Sequence, residues 1–311
     1  MVRAWIGTLA VAVCYAGCLG QQTSGTSSMG TSSGLQTAAS SSRKIEDCET
    51  RIRQAEAAHA DEKSLAALYR NLGILYQGVG NFQRSEAASR REVDVLRHAS
   101  PQDQADALNR LAAVHVEMND MRQAEKERIQ VLHLREKTGD TVVLAMAWSD
   151  LANLYVRSWH FDKALTYATK ATAVLADGPT VDVHDRIAVR QTMAYALCGA
   201  HRCQEAIPVL RSATDLAISK LGSNSLDAGV AEYLLGYAYW QSGQPGVADR
   251  WMSDGISKMK PYRAYGRVPY LHAITQYGQF LRASGRTEEA AAVDRDIRLA
   301  NSTVDAAALM Q

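Results

Sequence analysis

Between residues 64 and 300, apolar and small positions return with a helical period, and the helical blocks themselves return every 39 to 42 residues. Six anchors, Leu72, Leu111, Leu151, Met193, Leu235 and Tyr277, mark the register, with spacings of 39, 40, 42, 42 and 42. The residue after each anchor is small: Gly73, Ala112, Ala152, Ala194, Gly236 and Gly278. So is the thirteenth after it: Ser85, Ala124, Ala164, Ala206, Ala248 and Ala290. The fourth is bulky or aromatic (Tyr76, His115, Tyr155, Leu197, Tyr239, Leu281), and the eighth is mostly a turn former (Gly80, Asn119, Trp159, His201, Gly243, Gly285). This pattern predicts helix, short turn, helix and longer connection, six times over. A glycine inside a helix costs about 1 kcal/mol relative to alanine. Gly236 is therefore expected where a side chain would push a neighbouring helix away.

The stretches RNLGILYQGVGNFQRSEA, SDLANLYVRSWHFDKA and YLLGYAYWQSGQPGVA are the clearest copies. They resemble the tetratricopeptide (TPR) repeat, whose Leu-Gly, Tyr and Ala positions they carry across a helical hairpin. Trp148 matches that family's leading Trp. The period exceeds the usual 34 residues, and AISKLGSNSLDAGVAEYLLGYAY is similar to the 42-residue kinesin-light-chain subtype. The resemblance implies an all-α fold, an α-solenoid of about six TPR hairpins forming a right-handed superhelix. The array is expected over residues 64–300, with an N-terminal capping helix in 43–63 and a C-terminal tail over 301–311.

Within each first helix, the anchor, the next residue and those at minus three and plus four share the packing face. Glu232 departs from it and is expected at its rim. Positions minus two, plus two and plus five form a second stripe roughly 115° away. The TPR resemblance implies that this stripe lines a concave groove. It reads Arg70, Ile74 and Gln77; Asn109, Ala113 and Val116; Ser149, Asn153 and Val156; Gln191, Tyr195 and Cys198; Tyr233, Tyr237 and Trp240; Thr275, Gln279 and Arg282. Tyr195, Tyr233, Tyr237 and Trp240 suit recognition, since aromatic side chains offer large area, polar tips and few rotamers. The competing reading is packing across a narrow groove or burial under a neighbour. Asn109 and Asn153 suit a peptide backbone, and Arg70, Arg157 and Arg282 suit carboxylates. The lysines with which some TPR proteins clamp a C-terminal carboxylate are absent, so that activity is not carried over.

Net charge is +1 over 311 residues, which provides no electrostatic reason to expect nucleic acid. The N-terminus changes the expected location. Arg3 precedes an apolar run, Ala4 to Ala16, short for a membrane span and suited to a signal peptide over residues 1–20. YAGCLG resembles a bacterial lipobox with Cys18 as the lipidated residue, although Tyr15 departs from the usual aliphatic. A lipoprotein and an ordinary cleaved secreted protein both remain open. Residues 21–42 are rich in Ser, Thr and Gly and are expected to be a flexible linker. The chain is thus expected to be exported: periplasmic, anchored at the outer membrane or secreted, touching a membrane only through that lipid.

Motifs for phosphate cradling, zinc peptidase chemistry and serine hydrolysis are absent from the sequence. His115 occupies a packing position and is expected to be a core histidine. In CGAHRC, Cys198 and Cys203 could form a disulfide in an oxidising compartment, bind metal together with His201, or be two buried thiols. Cys48 would remain unpaired. DGPTVDVHD carries three acids but no calcium-loop frame, and is expected to be a solvated connection. The expectation is a non-enzymatic protein- or peptide-binding scaffold of the cell envelope, without cofactor or metal. An accessory subunit that assembles an envelope or secretion complex through its outer surfaces is the alternative. Catalysis through the Cys198, His201 and Cys203 cluster is a third.

Overall fold

The computed structural model describes residues 33–178, 180–262 and 267–308; Cys18, the apolar leader and residues 21–32 lie outside the described residues. The chain is an all-α helical repeat solenoid. Its helices are α1 (Ser33–Ala57), α2 (Glu62–Gly78), α3 (Phe82–Val95), α4 (Pro101–Glu117), α5 (Met121–Glu136), α6 (Thr141–Arg157), α7 (Phe161–Leu175), α8 (Val183–Gly199), α9 (Cys203–Leu221), α10 (Leu226–Gln241), α11 (Pro245–Met259), α12 (Arg267–Ala283) and α13 (Thr287–Ala308). From α2 onward they pair as the six expected hairpins.

One backbone device closes every hairpin. The eighth residue after each anchor adopts positive φ: Gly80, Asn119, Trp159, His201, Gly243 and Gly285, between 61° and 77°. The next residue's N–H donates to the carbonyl four after the anchor, as from Asn81 to Tyr76 (2.9 Å), Arg202 to Leu197 (2.8 Å) and Gln244 to Tyr239 (2.9 Å). This left-handed closure satisfies carbonyls the helix end would strand. Glycine adopts it freely, whereas Trp159 and His201 do so at a cost of about 1–2 kcal/mol each. Side-chain caps then start several helices. Asp61, Asn81, Ser100, Asp120, Asp182 and Ser225 each accept from a backbone N–H in the first turn.

Contacts divide the chain into two compact units, Ser24–Ala147 and Trp148–Ala306, the boundary lying within α6. In the first unit, Cys48, Ile52, Tyr69, Leu72, Tyr76 and Ala88 form an apolar cluster, and Ala66, Leu96 and Ala107 a second. Charge runs between these layers. The fully buried carboxylate of Glu92 accepts from Arg70 (3.1 Å) and Arg110 (2.5 Å). Buried His115 lies 2.7 Å from Glu127 and 3.2 Å from Glu86, and Arg135 bridges Gln102 and Asp106.

In the second unit two helices approach more closely. Leu151, Leu154, Ile187, Leu210, Leu235, Met252, Met259 and Phe280 form its interior. Its tightest crossing is α10 on α11. A Cβ on Gly236 would lie 2.6 Å from the Met252 nitrogen and 2.9 Å from the Ala248 oxygen; one on Gly255 would lie 2.5 Å from the Tyr233 nitrogen. The glycines are what allow the two backbones to touch.

The structure departs from the sequence expectations in several places. Helix α1 begins at Ser33, inside the segment expected to be a linker, because Leu35, Gln36, Ala38 and Ala39 extend the helix that follows. Helix α13 continues through Ala308, into the expected tail. Glu232 does not sit at a rim: it is buried and accepts from Lys258 Nζ at 2.5 Å, which offsets the cost of hiding its charge.

Candidate interaction face

The stripe at minus two, plus two and plus five differs between the two units. In the first, Arg70 and Ile74 are exposed, Asn109 is half-buried and Val116 is buried. In the second, Asn153, Gln191, Tyr195 and Tyr233 are all more than nine-tenths buried, while Tyr237 and Trp240 retain partial exposure. Tyr195 and Tyr233 are therefore not the open aromatics the sequence suggests. Tyr233 is 2% exposed, with the His272 ring of α12 edge-on at 6.4 Å and the α11 backbone brought against its own main chain by Gly255.

The arginines also depart from their expected role. The Arg282 guanidinium donates to both carboxylate oxygens of Asp294 at 2.6 Å, and Arg70 is engaged by Glu92. Both are already occupied by carboxylates of their own unit. Arg157 is buried rather than presented to solvent.

What remains is neutral. Ser149, Asn153, Val156, Gln191, Tyr195, Cys198, Tyr233, Tyr237 and Trp240 occupy the stripe from residue 149 to 240, and none is a formal ion at neutral pH. Burial pushes the Tyr195 and Tyr233 phenols well above the ordinary range, and nearby phenols (Tyr237 for the first; Tyr195 and Tyr237 for the second) add to the shift. Burial pushes Tyr237 up to about 12. All three hydroxyls therefore stay protonated at physiological pH and can donate. Yet the hydroxyls of Tyr195 and Tyr233, Asn153 Oδ1 and Gln191 Nε2 are buried with no hydrogen-bond partner among the described residues. Each such group costs about 1–3 kcal/mol when left unmet.

An aromatic chain leads from this floor toward the hairpin turns. Tyr237 packs edge-on against Trp240 (6.0 Å), Trp240 against Phe280 (5.5 Å), and Phe280 stacks on Tyr277 (5.9 Å). Trp240 and Phe280 wall a cavity of 730 Å³ that also includes Pro245, Asp249, Ser284 and Arg286. Gln191 belongs to the stripe but draws no attention in sequence beside its aromatic neighbours. Phe280, three after its anchor, lies off the stripe, and nothing in the repeat register points to it.

The cysteine cluster has a definite outcome. Cys198 and Cys203 are joined by a disulfide across the turn between α8 and α9, so neither is a thiolate ligand or nucleophile. Cys48 is free and buried. Beside that turn lies a 500 Å³ cavity with Trp159, His160, Lys163 and His201, and the Phe161 ring fills the space a side chain at Gly199 would need. Within the DGPTVDVHD segment, His184 lies 3.3 Å from Asp227 and Asp182 caps α8. Burial, with Asp182 and Asp150 nearby, raises the Asp185 carboxyl above its usual range. Among the described residues, no group of three or more His, Cys, Asp or Glu is placed to hold a metal ion.

No protein-family model matches the sequence, and no curated protein sequence matches it. Solved structures do match in shape. The apo form of RapI superposes with a TM-score of 0.68 at 12% identity, over 88% of this chain and 96% of that one. Kinesin light chain nearly identical TPR-like repeats from Podosopora anserina give 0.52 at 18%, over 63% and 95%. A Rap protein complexed with competence and sporulation factor gives 0.55 at 13%, over 85% and 76%. At these identities the similarity establishes a TPR-like repeat fold.

Proposed function

We propose that this chain is a non-enzymatic scaffold that binds a protein or peptide segment on the stripe face of its second unit. The observation that carries this reading is the partly exposed pair Tyr237 and Trp240 at stripe positions, packed edge-on at 6.0 Å and leading into a 730 Å³ cavity walled by Trp240 and Phe280. A Rap protein of similar fold is solved in complex with competence and sporulation factor, which supports a binding role. Export, with or without a lipid on Cys18, is part of the same proposal. A disulfide in the second unit suits an oxidising compartment, and the N-terminal apolar run suits a signal.

The test is capture from envelope extract of the source organism, with the full chain and a Tyr237→Ala/Trp240→Ala variant as baits. Both side chains keep partial exposure, and circular dichroism of the two baits checks that each is folded. A partner retained by the first and lost by the second supports the stripe face. A partner held equally by both places the interface on outer helices or turns, as an accessory subunit would have it. Location is tested separately, by following membrane association and lipid labelling in Cys18→Ala.

A further inference from the structure

Apart from the stripe, we propose a second binding site on the edge formed by the hairpin turns: the cavity between the α6–α7 and α8–α9 turns takes an uncharged aromatic ring with a polar edge, of the phenol or indole class. None of the residues lining this cavity belongs to the stripe. The first observation is where the backbone strain falls. Four of the six hairpin turns place Gly or Asn at the residue with positive φ: Gly80, Asn119, Gly243 and Gly285. These residue types reach that conformation readily. The other two turns place Trp159 (φ 64°) and His201 (φ 62°) there. Those turns belong to neighbouring hairpins, and both residues line the same 500 Å³ cavity. Glycine at either position would close the hairpin with less strain, so turn closure does not call for these rings. His201 is exposed, and its ring adds little to the interior. Side chains held in a costly backbone conformation and converging on one cavity point to a ligand.

The second observation is that the walls are fixed in advance. The Phe161 ring occupies the space a Cβ on Gly199 would need, which docks one turn on the other. Trp159 stands edge-on to Phe161 at 5.8 Å, and the Cys198–Cys203 disulfide spans the turn that carries His201. A site ordered before binding loses less when its ligand arrives. The lining sets the ligand's chemistry. Trp159, His160, Phe161 and His201 offer flat ring surface. Polar groups of both kinds stand among them: the Trp159 indole N–H and the Lys163 ammonium donate, the Asp162 carboxylate accepts, and an imidazole does either. Asp162 and Lys163 cancel in formal charge, which suits an uncharged ligand. An O–H or N–H on the ligand's edge finds an acceptor, and a phenol oxygen finds donors. A free phenol or indole and the Tyr or Trp side chain of a partner carry this same chemistry.

The probes are 4-methylphenol and 3-methylindole as free ligands, 4-methylcyclohexanol as the saturated control, and short capped peptides holding a single Tyr, Trp or Leu. Saturation-transfer NMR with the full-length chain is expected to show binding of the aromatic probes at a Kd of about 1 mM or tighter, and none of the saturated alcohol or the Leu peptide. Trp159→Asn and His201→Asn each install the residue type that Asn119 already places at positive φ. Each should weaken binding about fivefold or more. His201→Asn should melt no lower than the parent, because Asn bears that backbone conformation better. Binding of the free rings alone supports the site as one for a small molecule; binding of the Tyr or Trp peptides supports it as one for a partner's side chain. Equal binding of the saturated alcohol, full binding by both variants, or no binding of any probe overturns the proposal. So does a His201→Asn variant that melts several degrees lower, which would show that the ring serves the fold. Each of these outcomes leaves the stripe-face reading standing, since that reading is tested at Tyr237 and Trp240.

Discussion

The two units build one hairpin from different materials. In Ser24–Ala147 the repeats are linked across their layers by polar contacts: Glu92 between two arginines, His115 between two glutamates, Arg135 on Asp106. Its stripe face carries exposed Arg70 and Ile74. In Trp148–Ala306 backbones meet at glycine, ion pairs such as Glu232 with Lys258 and Arg190 with Asp177 sit among a larger aliphatic and aromatic interior, and the stripe carries aromatic residues. A shared repeat register therefore sets where helices go without setting what joins them. Buried polar atoms without partners among the described residues occur in both units, at Asn109 as at Asn153, Gln191, Tyr195 and Tyr233, but the partly exposed aromatic pair Tyr237 and Trp240 belongs to the second.

The comparison is most sharply broken at the glycine that follows the anchor. In Gly236→Ala the new methyl meets backbone at 2.6 Å, and the variant should lose about 3 kcal/mol, a fall in Tm of roughly 6–12 °C. In Gly73→Ala, at the equivalent position of the first unit, the methyl meets the Ser89 hydroxyl at 3.2 Å. That side chain can turn aside, and helix propensity offsets the contact, so stability should change by less than about 1 kcal/mol. Equal losses in thermal denaturation would refute the contrast.

Glu92→Gln tests the reverse. It leaves Arg70 and Arg110 without their carboxylate and should cost about 2 kcal/mol, less than a fully enclosed pair because both arginines reach solvent. Denaturant titration followed by hydrogen exchange should place the loss in the first unit. Reducing the Cys198–Cys203 bond acts only on the second. It closes a small ring, with a sequence separation of 5, so its opening should cost about 2 kcal/mol or less. The matching readout is Tm with and without reductant, in the parent and in a Cys198→Ser/Cys203→Ser variant that should no longer respond.

The smallest effect is a pH dependence. Burial raises the Asp185 carboxyl in the folded chain, so the folded state holds that proton more tightly than the unfolded one. Its contribution to stability is therefore unfavourable above the raised value, and it fades as pH falls toward the ordinary carboxylate range near about 4. Asp185→Asn should raise Tm at neutral pH and converge with the parent in acid. A variant that melts lower at neutral pH would show the charge to be stabilising instead.

The hairpins, their six anchors, the small residues at crossings and the places of the turns were legible in the sequence. Each is a local or next-neighbour demand: a period, a positive φ, a missing side chain. Even Trp159 and His201, poor residues for such a turn, were located by register alone, because the repeat imposes the geometry and they bear the strain. Tertiary structure alone decided what the stripe residues do. Whether Tyr233 faces solvent depends on His272 of the next hairpin, whether Glu232 can be buried depends on Lys258, and whether Arg282 is free depends on Asp294. Those partners lie 12 to 39 residues away in sequence. The helical period says which face a side chain shares, while exposure and pairing are settled by whatever packs against that face.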